Sequence, residues 1–418
     1  MKVEVIAIGD ELLIGQTVNT NATWIGATFS AIGASVTYNT VIQDKRDDIL
    51  FAVDQALKRV DVVIMTGGLG PTNDDITKST LCQYFDTSLE INEEVLAHVK
   101  AFFDARGREM LDVNVQQAAL PKTAKVLKND LGTAPGMWFD VDDRVLISLP
   151  GVPYEMKHLI SDRALPQLID KFEMKAIYHQ TVHTQGIGES YLADRIQDIE
   201  TEIRAQGIGL AYLPSPGIVR LRLTSEKESH SVELIESFLR QIEARLPQYV
   251  FGRGEAQLSK VVGDILTGKN ATIGTVESCT AGTLSSMLVS VPGSSGYFQG
   301  SIVSYSNELK NQFVGVSQES LDNYGAVSEQ VVREMAERGR ERLGVDYCLS
   351  TSGIAGPGGG SEAKPVGTVW IGVASPERTI AKKFLFGDHR ERNIRMTVLT
   401  ALNLLRCELL NIKVEKSV

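Results

Sequence analysis

The run VDVVIMTGG, residues 60–68, constrains the fold of this chain more than any other stretch. An apolar run without polar alternation suits a strand covered on both faces, and the two glycines end it where a tight turn is needed. KVEVIAIG (2–9) and RVLISLPG (144–151) read the same way, and SVTYNTVI (35–42) is strand-like. Between them lie segments of helical periodicity, TNATWIGATFSAIGA (20–34) and DDILFAVDQALKRV (47–60). The second opens on acids and closes on bases, as the helix dipole favours. Strands separated by helices predict an α/β class, a parallel sheet with helices on both faces. A helix over PYEMKHLISDRALPQLIDKF closes this first domain near Phe172.

At 418 residues the chain is too long for one ordinary domain. Residues 173–254 change character. AIYHQTVHT is strand-like, ESYLADRIQDIETEIRAQG reads as one helix, LAYLPSPGIVRLRLTSE as two strands about a turn, and SVELIESFLRQIEARL as a closing helix. This is a small α+β domain without a glycine loop or acid/base cluster, suited to a spacer or docking role. Residues 255–418 return to the α/β pattern, with strands at ATIGTVES, GYFQGSIVSYS, DYCLSTSG and GTVWIGVAS. Helices follow at CTAGTLSSMLVSV, VSEQVVREMAERGRERL and, last, RNIRMTVLTALNLLRCELL.

The net charge of -10 argues against a general nucleic-acid binder, though backbone N–H groups and one or two cations suffice for a nucleotide phosphate. The four cysteines lack paired spacing, which argues against a disulfide framework or a zinc site. The N-terminus lacks a signal-peptide layout and no uncharged window is long enough for a membrane span, so the expectation is a cytoplasmic protein with no membrane partner.

Ser278 falls where a strand ends and a helix is predicted to begin, in TVESCTAGTLSSML. Such a serine projects at the sheet's carboxyl edge, with helix N–H groups at hand for an oxyanion. Taken alone it reads as a helix cap and not as a nucleophile. Two neighbours add chemistry: YSNELK supplies Tyr305, Asn307 and Lys310, and STSGIAGPGGGSEAKPVGTV is a glycine loop whose N–H groups suit a phosphate or carboxamide oxygen. It lacks the P-loop pattern. His389 is the single histidine of this domain and sits in a charged stretch, which leaves a lysine base or a Ser–Lys–Tyr arrangement, either one requiring a partly desolvated Lys310. Cys279 is the rival nucleophile, adjacent and intrinsically stronger.

ESCTAG, YSNELK, GAVSE and SGIAGPGGGSEAKPVGTV together resemble the C-terminal domain of the CinA family, a metal-free nicotinamide-nucleotide amidohydrolase. The resemblance implies hydrolysis of nicotinamide mononucleotide to nicotinate mononucleotide and ammonia, with Ser278 as nucleophile and Tyr305, Lys310 and Ser352 completing the site. Cys279, Thr280, Asn307, Gly353, Ala355 and Gly356 are then expected against the substrate, and no cofactor is. Where that family commonly has glycine, this chain has Ala281.

In the first domain TGGLGPTNDDITKS places a glycine loop at the carboxyl edge of the sheet, where ligands bind in open α/β folds. Asp74 and Asp75 follow it, and Asp10 and Glu11 end the first strand. Oxygen ligands beside such a loop suggest a divalent metal bridging a pyrophosphate, held by Asp10, Asp74 and Asp75. Read otherwise, these are acids at helix starts. GDELLIGQTVNTN, TGGLGPTNDDITKS, NDLGTAPGMW and LPGVPYEM resemble the family's molybdopterin-binding-like domain, shared with MogA/MoaB proteins, and residues 173–254 resemble its KH-like domain. The resemblance implies a second, metal-dependent ADP-ribose pyrophosphatase activity and a homodimer. Two other readings compete: a molybdopterin-binding protein, and a non-enzymatic competence adaptor.

Overall fold

The computed structural model describes residues 1–70, 75–174, 177–226 and 229–414. Packing divides the chain into two units, Met1–Tyr178 and His179–Val418.

In the first unit, β1 (Lys2–Ile8), β2 (Ser35–Ile42) and β3 (Val62–Thr66) are parallel, as the buried runs predict. Two short strands, β4 (Leu89–Ile91) and β5 (Ala119–Pro121), form a separate ribbon. They are followed by β6 (Lys125–Leu127), β7 (Gly136–Val141) and β8 (Arg144–Leu149). The main sheet has the order β2-β1-β3-β8-β7-β6. It is not wholly parallel, because β7 runs against both β8 and β6. The physical reason is the connection: Asp142 and Asp143 alone join β7 to β8, and a two-residue turn can only reverse the chain. Separate apolar clusters cover the two faces, one around Ile49, Val53 and Leu81, the other around Ile25, Phe29 and Leu159.

The second unit begins with a four-stranded sheet of order β10-β11-β9-β12, made of β9 (Ile177–Gln185), β10 (Gly209–Ser215), β11 (Ile218–Glu226) and β12 (Val250–Arg253). The single helix expected over 189–207 is two, Glu189–Arg195 and Gln197–Ala205, hinged at the fully buried Ile196. The C-terminal sheet has the order β14-β13-β15-β16-β17, from β13 (Ile273–Glu277), β14 (Phe298–Val303), β15 (Tyr347–Gly353), β16 (Thr368–Ala374) and β17 (Thr379–Leu385). The first three strands in that order are parallel, and β16 and β17 are antiparallel additions. The final helix, Arg390–Leu409, packs on this sheet and also carries the middle segment. Arg406 donates to the carbonyls of Pro247 and Gln248 (2.9 and 3.0 Å), Asn403 to that of Gln248, and Gln185 to the Thr400 hydroxyl. The middle segment is therefore docked on the C-terminal domain, an arrangement more intimate than a spacer. Among the described residues no helix is long and apolar enough to cross a membrane.

Candidate functional site

β13 ends at Glu277, and Ser278 begins a five-residue turn before the helix Thr283–Val289. Ser278 is thus neither a helix cap nor at a helix N-terminus, contrary to expectation. That position is taken by Glu277, which is fully buried and turns its carboxylate back on the helix start. It accepts from the N–H groups of Gly282, Leu284 and Ser285 (2.9, 3.1 and 2.8 Å) and from the hydroxyls of Thr280 and Thr275 (2.7 and 3.2 Å). Three helix N–H groups are thereby satisfied internally, so the helix start does not supply the oxyanion donors that the sequence suggested.

The turn is tight enough to place Ala281 at φ +47° and Gly282 at φ +94°. A side chain in the left-handed region costs about 1 kcal/mol relative to glycine. Ala281→Gly is accordingly expected to raise stability by about 1 kcal/mol, read from the thermal midpoint; an unchanged or lower midpoint would show that the methyl is not strained.

Lys310 meets Ser278 at the centre of the site. The Lys310 Nζ donates to Ser278 Oγ (3.0 Å) and to the carbonyls of Ser304 and Tyr305 (2.9 and 3.2 Å). It is 1% exposed, and burial lowers its pKa to about 8. Its three acceptors are neutral, so the ammonium gains no ion pair to offset desolvation. Ser278 itself is pinned by its N–H, which donates to the Thr351 carbonyl at 3.0 Å.

Cys279, the rival, lies in the apolar cluster with Leu284, Leu288 and Val398, 5% exposed. Burial pushes its thiol up to about 12. At neutral pH it is a packed thiol with almost no thiolate. The serine is the one whose hydroxyl the lysine hydrogen-bonds, while the thiol is packed into the apolar cluster.

The remaining predicted residues divide. Thr280 and Thr351 share a hydroxyl hydrogen bond of 2.7 Å beneath Ser278. Tyr305 contributes its carbonyl to Lys310, whereas its phenol is exposed and accepts from Arg390 at 3.4 Å. It is not placed to relay a proton between serine and lysine. Ser352 donates its hydroxyl to the Ala326 carbonyl (2.7 Å), so that proton is not free for an oxyanion. Asn307 starts a short exposed turn. Gly353 is paired into β15–β16, and Ala355 and Gly356 direct their carbonyls at Asn393 (3.0 Å) and Arg390 (2.8 Å). The glycine loop is thus tied down through its carbonyls by the final helix. Arg390, which no sequence signal marked, brings a cation to the rim by contacting both Gly356 and Tyr305.

With this geometry in place, the comparisons with known proteins are decisive about family. The chain matches the CinA C-terminal domain over residues 255–409, the damage-inducible protein CinA KH domain over 179–252, and the probable molybdopterin binding domain over 4–170. It is 46% identical over 413 residues to a CinA-like protein of Cytophaga hutchinsonii, covering 98% of each chain. The chain belongs to the CinA family. Another CinA-like protein, from Flavobacterium psychrophilum, is 44% identical over 98% of this chain and 99% of its own. Among solved structures, a competence/damage inducible protein from Agrobacterium tumefaciens is 34% identical, covering 36% of this chain and 92% of its own with a TM-score of 0.36. The CinA protein of Thermoplasma acidophilum, described as of unknown function, is 35% identical over 41% of this chain and 96% of its own, TM-score 0.36. The three-domain organisation of this CinA-family chain is therefore molybdopterin-binding-like, KH and CinA C-terminal in order.

In its first domain a cleft of about 710 Å³ opens at the carboxyl ends of β1, β3 and β8, walled by the Gly67–Gly70 loop and by Asp10, Glu11, Asp75 and Glu155. Asp75 accepts from the Gly70 N–H at 2.8 Å and so shapes the loop. Asp74 lies outside the described residues, and among those described no three acids, histidines or cysteines gather as a metal site. Carboxylate oxygens have the right chemistry for a hard divalent ion, and of the three expected ligands the two described, Asp10 and Asp75, both wall this cleft.

Proposed function

We propose that the C-terminal domain hydrolyses the carboxamide of nicotinamide mononucleotide, with Ser278 as nucleophile and Lys310 as general base. The observation that carries the reading is the 3.0 Å contact between Ser278 Oγ and a buried Lys310 whose pKa falls to about 8. An appreciable fraction of that lysine is a free amine near neutral pH, which a solvated lysine is not. The free amine takes the serine proton as Oγ bonds to the carboxamide carbon. The resulting ammonium then protonates the departing nitrogen, and ammonia leaves an acyl-serine. Water, deprotonated by the same amine, attacks the ester, releases the carboxylate and returns the proton to Ser278. With the helix N–H groups engaged by Glu277, the oxyanion donors in this scheme are the N–H groups of the turn, Cys279 and Thr280. Arg390, at the rim, is suited to the substrate phosphate. The choice of a pyridine nucleotide rests on the resemblance of these motifs to the family's amidohydrolase; the geometry supports serine–lysine acyl transfer.

The carboxylate-walled cleft of the first domain favours a second reading there, cleavage of ADP-ribose at its pyrophosphate. Both are tested on the full chain. Ammonia release from nicotinamide mononucleotide is expected to persist in chelator, to vanish in Ser278→Ala, and to survive in Cys279→Ala. ADP-ribose cleavage is expected to depend on an added divalent cation and to be indifferent to Ser278. A dead Cys279→Ala beside an active Ser278→Ala would overturn the serine assignment.

A further inference from the structure

A second large cleft, about 780 Å³, lies where the middle segment meets the C-terminal domain. Its walls are the Gly186–Gly188 loop after β9, the Pro214–Val219 hairpin turn, the end of the edge strand β17, and the first turns of the final helix. The hairpin approaches that helix closely. Gly217 has φ +85°, and a Cβ there would stand 2.8 Å from the Leu399 side chain and 3.0 Å from the Met396 sulfur. Arg395 holds the turn from the helix side by donating to the Pro216 carbonyl (3.3 Å).

Two properties of the lining point to one chemistry. The first is charge: in a chain of net charge -10, this cleft is lined by Lys383 and Arg392, both exposed, and, among the described residues, by no aspartate or glutamate. The second is shape: Phe384 and Phe386 stack with ring centroids 5.6 Å apart and an interplanar angle of 6°, half-buried in the same wall. Parallel aromatic rings beside unopposed cations suit a flat aromatic group carrying an anion. A volume of this order holds one small molecule, and the chain's overall negative charge opposes a polyanionic strand.

We propose that this cleft is a nucleotide-binding site, separate from the Ser278–Lys310 centre, with the base against Phe384 and Phe386 and the phosphate held by Lys383 and Arg392. The inference does not depend on the amidohydrolase reading. It is tested by equilibrium binding of ADP to the full chain, comparing wild type with Lys383→Glu/Arg392→Glu. Both replaced side chains are exposed, so the fold is retained, as circular dichroism would check. The wild type is expected to show a class of ADP sites that the double variant loses or binds at least ~30-fold more weakly, since two charge contacts are reversed. Phe384→Leu should weaken the same class several-fold, and adenosine and pyrophosphate should each bind it more weakly than ADP. An isotherm unaltered by the charge reversal, or tighter binding of a single-stranded oligonucleotide than of ADP at this site, would overturn the proposal.

Discussion

Replacing Lys310 with methionine is expected to lower kcat for nicotinamide mononucleotide by about 10³-fold or more, the scale of losing the base that activates a nucleophile. Lys310→Arg should be no better, because a guanidinium stays protonated. In the wild type the rate should rise with pH as the amine deprotonates and level off above about 8, the value to which burial lowers Lys310. A profile already flat from pH 6 would remove the lysine from the base role. Stability moves differently. The ordinary lysine value is 10.5, so between about 8 and 10.5 the unfolded chain binds more protons than the folded one. Stability therefore rises with pH across that window, and below it the penalty for burying the ammonium is fully present, about 3 kcal/mol. Methionine removes that penalty but leaves the Ser304 and Tyr305 carbonyls without their donor, a loss of about 1–3 kcal/mol. The variant should thus lose activity while its thermal midpoint at pH 7 stays within a few degrees of wild type.

The largest effect on stability is expected at Glu277. Its carboxylate serves five donors in the interior, three of them the N–H groups that open the Thr283–Val289 helix. Glu277→Leu strands the three N–H groups, whereas the Thr280 and Thr275 hydroxyls keep Thr351 and Ser301 as partners, and even partial relaxation leaves a cost on the order of 4 kcal/mol. For a unit the size of His179–Val418 that is a drop of about 10 °C in the thermal midpoint. Glu277→Gln keeps the shape and one acceptor oxygen, so its loss should be about half as large. Because the displaced turn carries Ser278, the glutamine variant should also lose activity out of proportion to its stability. A midpoint within 2 °C of wild type in Glu277→Leu would show that the five contacts are not worth their geometry.

The parts legible in the sequence were those governed by local pattern. β1, β3, β8, β13 and β15 are apolar runs that end where the periodicity stops, and each is a strand. β7 and β17 were not read. GMWFDV is short and overlaps a loop motif, and TIAKKFL at the sheet edge is broken by two adjacent lysines, so neither has a long apolar signature. Ser278 and Lys310 stood out through their motifs, yet the direction of each side chain was set by a turn that no periodicity encodes. Glu277 was hidden because a glutamate at a strand end is ordinarily solvated, and only the tertiary fold surrounds it with donors. Arg390 was hidden because it reaches the site from 80 residues beyond Lys310 by the packing of the final helix.

That helix also dictates an order of events during synthesis. The middle segment is complete at about residue 253, but the groups it docks on, Thr400, Asn403 and Arg406, are 155 to 215 residues further along than their partners Gln248 and Gln185. A ribosome must translate almost the whole C-terminal domain before those contacts can close. Until then the Gln248 carbonyl and the Gln185 amide lack these partners, and the cleft beside Lys383 lacks its helical wall. The helix Arg390–Leu409 is the piece that locks two domains together at once.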